Sequence, residues 1–360
     1  MKTTYKEGKI VLCIVFICIF ACGGIGAEQE YQSFDYLSPI YNIDKIYKSM
    51  QGPDSSQDIY LTKTKEPELL WITSSRTEIV GTDGTSRMPQ EFMCHMNLDF
   101  SKIDKHNLSF PNNIVRIVTL SQGQFEVNFP KGFGLPMLSN EPLNLTTQVL
   151  NLNHENEVFQ VRHHVTINFV RDRDLKGPMK ALFTTDIFGL KLVEGRDPYY
   201  EVQQVDKSKH GPGCLIGRGA SNDFYEDSQG RKFTGHWVVN PGREVNRTLV
   251  TKLLNLPYDT TVHYIAVHLH PFAESLELRD LTTGQSLFKS QTENYKDRVG
   301  LVRVDTYSSE EGFPVYKDHE YELVSVYNNT TPVDQDSMAV MYMFLLDKNF
   351  KKPDLSKTVE

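Results

Sequence analysis

Apolar and polar positions alternate with a period of two through short blocks along most of this chain. Residues 161–170 set Val165, Ile167 and Phe169 on one face and Arg162, His164 and Thr166 on the other. Side chains two apart on a strand share a face, so this pattern predicts a half-buried strand. Residues 114–120, 236–239, 263–270 and 339–346 are further short runs rich in β-branched and aromatic residues, separated by clusters of Gly, Pro, Asn and Asp. Such runs read as strands between turns. No stretch holds a helical period over three turns. The expected fold is therefore all-β, as two tandem antiparallel β-sandwich, jelly-roll-like domains.

The boundaries follow from breaks in that pattern. Lys2, Lys6 and Lys9 precede an apolar run over residues 10–22, followed by Gly23, Gly24, Ile25, Gly26 and Ala27. The run has the length of an export signal and is short for a spanning helix, so residues 1–27 are read as a cleaved signal peptide. Cys22 offers a lipid anchor as the alternative, which would be the chain's one attachment to a membrane. The polar residues 28–65, broken by Pro39, Gly52 and Pro53, read as an N-terminal extension. Charge and Gly/Pro at 171–178 mark a linker, so the two sandwiches are expected at 66–175 and 176–350. An irregular excursion covers residues 194–231, and 351–360 is read as a solvated tail.

Charge narrows the partners. Loss of residues 1–22 moves the balance from 38 basic against 46 acidic residues to about 35 against 45. No block of Lys and Arg is present, so no nucleic-acid partner is expected. Of five cysteines only Cys94 and Cys214 lie beyond the signal, which allows at most one disulfide. Over 300 residues bury ample apolar area without more.

Four short segments carry candidate chemistry. His268-Leu269-His270 puts two imidazoles on one face of a strand, about 6–7 Å apart, within reach of a shared ion. Asp336-Ser337-Met338 leads an acidic loop into a late strand, where alternation turns Met338 away from the core-filling Met341 and Met343. A thioether beside two imidazoles is soft enough to favour Cu(I). Cys94-His95-Met96 and His154 each put a histidine at the end of an apolar segment in the first half. His163 and His164 point to opposite faces, and on a charged strand both read as ordinary polar residues. His236 reads as a histidine that is packed or that supports a ligand from behind, and His263 and Tyr264 as residues that orient others on the His268 strand. Hydrolase, haem and phosphate-loop signatures are absent.

In their order and spacing, Cys94-His95-Met96, His154, His268-Leu269-His270 and Asp336-Ser337-Met338 with Tyr342 four residues on resemble the copper type II, ascorbate-dependent monooxygenases. That family includes peptidylglycine α-hydroxylating and dopamine β-monooxygenases, and the resemblance spans residues 88–347. It implies two copper ions per chain facing an interdomain cleft. His268, His270 and Met338 would hold the oxygen-binding copper, with Tyr342 beside it, and His95, His154 and Cys94 would belong to an electron-storing one. The implied reaction is hydroxylation of a C–H bond in a small organic substrate, with O₂ and ascorbate or a similar reductant as co-substrates.

Cys94 stands where the family has a histidine. It is left as a thiolate ligand, as a disulfide partner of Cys214, or as a gap that His163 or His164 fills. Ala266 and Val340 stand where peptide-amidating members use Arg and Asn, which speaks against amidation. The alternative is an exported, secreted or periplasmic, copper-binding β-sandwich protein without turnover.

Overall fold

The computed structural model describes residues 29–62, 64, 66–101, 115–192, 225–226 and 232–355. The expected signal, Cys22, Cys214 and most of the 194–231 excursion lie outside the described residues. Within them the chain is almost entirely strand. Strands Gln32–Leu37, Phe159–Arg171, Leu69–Val80 and Phe133–Leu138 form one sheet of a first sandwich in that order. Its second sheet is Asp54–Ile59, Leu143–Val149, Met93–Phe100 and Arg116–Ser121.

A second sandwich pairs Lys180–Phe188, Gln335–Leu346, Thr260–Leu269 and Tyr307–Val315 against Gly242–Leu249, Tyr321–Asn329, Ala273–Asp280, Gln285–Asn294 and Leu301–Val304. The short strand His236–Val239 lies along the start of Gln335–Leu346. A parallel pairing of Lys180 and Ala181 with Phe133 and Gly134 joins one sheet of each sandwich into a continuous ribbon. The all-β, antiparallel sandwich architecture is thus as the alternation pattern predicts.

Residues 32–59, expected as an extension, instead supply three strands of the first sandwich. Gln32–Leu37 and Tyr41–Ile43 pair with Phe159–Arg171, and Asp54–Ile59 pairs with Leu143–Val149. Their short, half-polar pattern hides this, because each turns at most one face, in Gln32–Leu37 only a partly buried one, to the core. Residues 351–355 are largely exposed, with Lys352 paired to Asp172, while Phe350 just before them packs edge-on against Trp71.

The core explains why one strand lacks alternation. Met338, Val340, Tyr342 and Phe344 pack into an apolar cluster shared with the first sandwich, while Ala339, Met341, Met343 and Leu345 pack into the core of the second. Gln335–Leu346 is buried on both faces, and such strands read as continuous apolar runs. One face of the neighbouring Thr260–Leu269 follows it into the seam between the sandwiches.

Candidate functional site

The seam-facing side of Thr260–Leu269 is set by a bulge. Val262 pairs with Leu345 and Tyr264 with Phe344, so His263 is an extra residue. It reverses the facing of everything after it. Val262 belongs to the second core, whereas Tyr264 and Ala266 face the first. By the same alternation His268 and His270 face the seam. The bulge is held by Gly312, whose φ of +73° brings its backbone against Val262 and His263; a Cβ there would lie 2.7 Å from the Val262 carbonyl oxygen. His263 itself stacks on Phe133 and bonds the Ser309 carbonyl.

Register then lines up the donors. His268 pairs with Val340 and Leu269 with Ala339, so His270, one residue further, comes level with Met338. On the other side of Met338 stands His236, its direct cross-strand partner. The ring centroids of His268 and His270 are 5.3 Å apart, and those of His236 and His270 are 5.9 Å apart. Tyr327 fixes two of these positions, since its hydroxyl accepts from the His270 backbone N–H at 3.2 Å and donates to the Met338 carbonyl. From the first sandwich, Gln124 Oε1 accepts from the Val267 N–H at 2.8 Å, anchoring the ligand strand across the seam.

The first sandwich brings Cys94 and His95 toward the same place. Met93 pairs with Val149 and His95 with Gln148, which makes Cys94 the extra residue of a second bulge. Bulges re-aim side chains, and here the Cys94 sulfur lies 3.2 Å from His95 Nδ1. Cys94 is a free, buried thiol. Burial, above all, pushes it up to about 12, so it is protonated at neutral pH and not a thiolate. Ser49, from the stretch expected to be an extension, approaches His270 Nε2 at 3.5 Å, and Asp336 approaches His270 Nδ1 at 3.3 Å.

Burial disfavours the charged form of His95 and His268. Burial, aided by Arg116 and neighbouring imidazoles, lowers His95 to about 3, and burial holds His268 well below the usual histidine range. Both ring nitrogens of His268 are buried and find no hydrogen-bond partner among the described residues. Leaving a buried polar group unmatched costs about 1–3 kcal/mol. His268 therefore keeps open lone-pair capacity in the protein interior.

The other expected ligands go elsewhere. His154 is bonded to Glu157 at 2.7 Å and Glu91 at 2.9 Å, and these carboxylates, Glu157 first, raise its pKa. With both ring nitrogens hydrogen-bonded to carboxylates, His154 has no lone pair turned to a metal. His95 lies instead in the electrostatic neighbourhood of Arg116, His163, His270 and His236. The electron-storing set of Cys94, His95 and His154 is thus not assembled. Tyr342 is buried beside Asp186 and Arg116, with burial pushing its hydroxyl up to about 12, in a polar network that also includes the Arg116–Asp99 ion pair. His163 donates to or accepts from Thr77 and bonds the Gln148 carbonyl, and His164 faces outward to Asp35.

No protein-family model matches the chain, and no curated protein matches it either. Several solved structures are similar over most of its length. One described as the STIV MCP is 9% identical, with 88% of this chain and 97% of that one covered at a TM-score of 0.29. PBCV-1 VP54, fitted into a reconstruction of the virophage Sputnik, gives 11%, 91%, 98% and 0.34. The major capsid protein P2 from bacteriophage PM2 gives 11%, 88%, 100% and 0.27. Likenesses of this size transfer no function to the chain.

No family model or curated protein supports a monooxygenase, and among the described residues no three His, Cys, Asp or Glu side chains stand ready to hold a metal. The resemblance to copper monooxygenases is accordingly corrected, and with it the ascorbate-driven hydroxylation. Its physical weakness is plain in His154: motif order along a chain does not fix what a histidine bonds to. His236, which the sequence offers only as a packed or supporting residue, is the seam histidine that order alone misses. Its signal is its place directly after Thr234-Gly235, at the start of a strand that pairs with Met338.

Proposed function

We propose that the chain is an exported, non-catalytic β-sandwich protein that binds a single copper ion at the seam, through His268, His270 and Met338. The observation that carries this reading is His268, whose two ring nitrogens are buried and unpartnered. A neutral imidazole needs to shed no proton to bind a metal, so binding there meets little competition near neutral pH. Two imidazoles and a thioether favour Cu(I) over harder ions. Two imidazoles and a thioether differ from a cluster of three His, Cys, Asp or Glu side chains, since only two donors are of those kinds. The Tyr327 clamp on His270 and Met338 supports a preset spacing of these two.

A reading without turnover is supported by His154, whose ring nitrogens are committed to Glu91 and Glu157. Export rests on the Lys-led apolar run before residue 28. The acidic balance suits a cation as cargo and disfavours nucleic acid.

Anaerobic loading with Cu(I), followed by metal analysis, tests this reading. One copper per chain is expected in the wild type and in His154→Ala, and none after desalting in His268→Ala. A wild-type protein that retains no copper overturns the proposal.

A further inference from the structure

We infer that His236 is a further ligand, making the seam centre one of three imidazoles and one thioether carried by three adjacent strands. This rests on the copper-binding reading above and deepens it.

The argument begins with distance. An imidazole nitrogen that holds an ion at about 2 Å sets its ring centroid about 3.2 Å from that ion, so two rings sharing it stand about 5 Å apart at a tetrahedral angle and about 6.4 Å at most. His268 and His236 stand 5.3 Å and 5.9 Å from His270. Both separations fall inside that window, with His270 as the common member. The rings are not parallel-stacked, lying at 87° and 43° to His270.

Register supplies the second argument. His236 is the cross-strand partner of Met338, and His270 comes level with Met338 on the other side. Residues directly opposite on neighbouring strands keep their Cβ atoms about 5 Å apart on one face. His236, Met338 and His270 thus form a row across three strands, and His268 stands beside the row, two residues from His270. All four are at most 5% exposed. Met338 holds the middle position of the row.

Position on the fold adds a third. His236 follows Gly235 directly, and the Thr234 hydroxyl accepts from its backbone N–H at 3.1 Å and donates to its carbonyl at 2.7 Å. This small closed turn fixes where the strand begins. The Ser337 hydroxyl donates to the Trp237 carbonyl at 3.1 Å, tying the same strand to the one that carries Met338. A side chain that only filled space would need no such fixing from both sides. What remains for binding is rotation of ring torsions, because the donors do not yet converge as a ligand set.

Two measurements with Cu(I) alone as probe test the inference. X-ray absorption of the copper-loaded wild type is expected to require three nitrogen donors and one sulfur; two nitrogens and one sulfur would overturn the assignment of His236 while leaving the copper-binding reading intact. His236→Ala is expected to weaken Cu(I) binding by about 10-fold or more, since even partners one shell beyond the ligands cost that much. An unchanged Kd in a folded His236→Ala would overturn it likewise. Should that variant fail to fold, the wild-type nitrogen count decides alone. A wild type that binds no copper overturns both proposals together.

Discussion

At His268 the protein accepts a cost that its neighbours avoid. His163 is as deeply buried, yet it bonds the Gln148 carbonyl at 3.1 Å and lies 3.3 Å from the Thr77 hydroxyl. His268 has neither kind of partner among the described residues. Replacing an unmatched buried polar group with an apolar one of similar volume removes its desolvation cost. His268→Leu is therefore expected to stabilise the metal-free protein by about 1 kcal/mol in urea denaturation while abolishing copper retention. A destabilised His268→Leu would mean that the imidazole is satisfied in the folded protein and is no ligand in waiting.

His163 gives the matching prediction in pH. Burial lowers it to about 4, so the unfolded chain binds a proton there that the folded chain refuses. Its contribution to stability is whole above the unfolded value of about 6.5 and is lost as pH falls from there toward 4. His163→Gln should flatten the acid limb of a stability-against-pH curve by up to about 1.4 kcal/mol per pH unit in that window. An unaltered limb would show that His163 is protonated in the folded protein.

Elements decide which of these residues meet. The bulge at His263 turns His268 and His270 from the second core to the seam, and Gly312 is the residue that permits it. A Cβ at φ +73°, 2.8 Å from the His263 ring, adds backbone strain to a steric clash. Gly312→Ala is expected to cost about 2 kcal/mol and to weaken copper binding with it, measured by thermal unfolding with and without Cu(I). A variant of full stability and full affinity would remove the bulge from the account.

The same elements mark the limit of reading the sequence. Period-two alternation exposes Phe159–Arg171, and the change of chemistry at Met338 is legible because Met341 and Met343 fall on the opposite face. The bulges at Cys94 and His263 leave no such trace, since one extra residue looks like one more strand position. His154 was misread for a related reason: its fate depends on Glu91, 63 positions away, which no local pattern announces. Residues 32–59 look like an extension because their strands are short and each shows the core at most one face.

At the scale of the whole molecule, the two sandwiches are tied at one end by Glu91. Only 3% of its side chain is exposed, and it meets Arg298 at 2.7 Å and His154 at 2.9 Å. Around it Asn153 exchanges two 2.9 Å hydrogen bonds with Val299, and Gln122 accepts from the Leu301 N–H at 3.1 Å. With the parallel pairing of the two ribbons and the shared apolar cluster, these contacts should make both sandwiches unfold together. Calorimetry is expected to give one transition, and Glu91→Ala, which strands Arg298 and His154, to lower stability by about 3 kcal/mol. Two separate transitions in the wild type would mean that the seam does not couple the halves.

Everything in this account turns on a single ion at that seam. The direct measurement is copper per chain after anaerobic loading and desalting, with oxygen uptake followed in the presence of ascorbate. One copper is expected, retained in His154→Ala and lost in His268→Ala, with no sustained oxygen uptake. No copper in the wild type would contradict it, and so would two coppers of which one depends on His154.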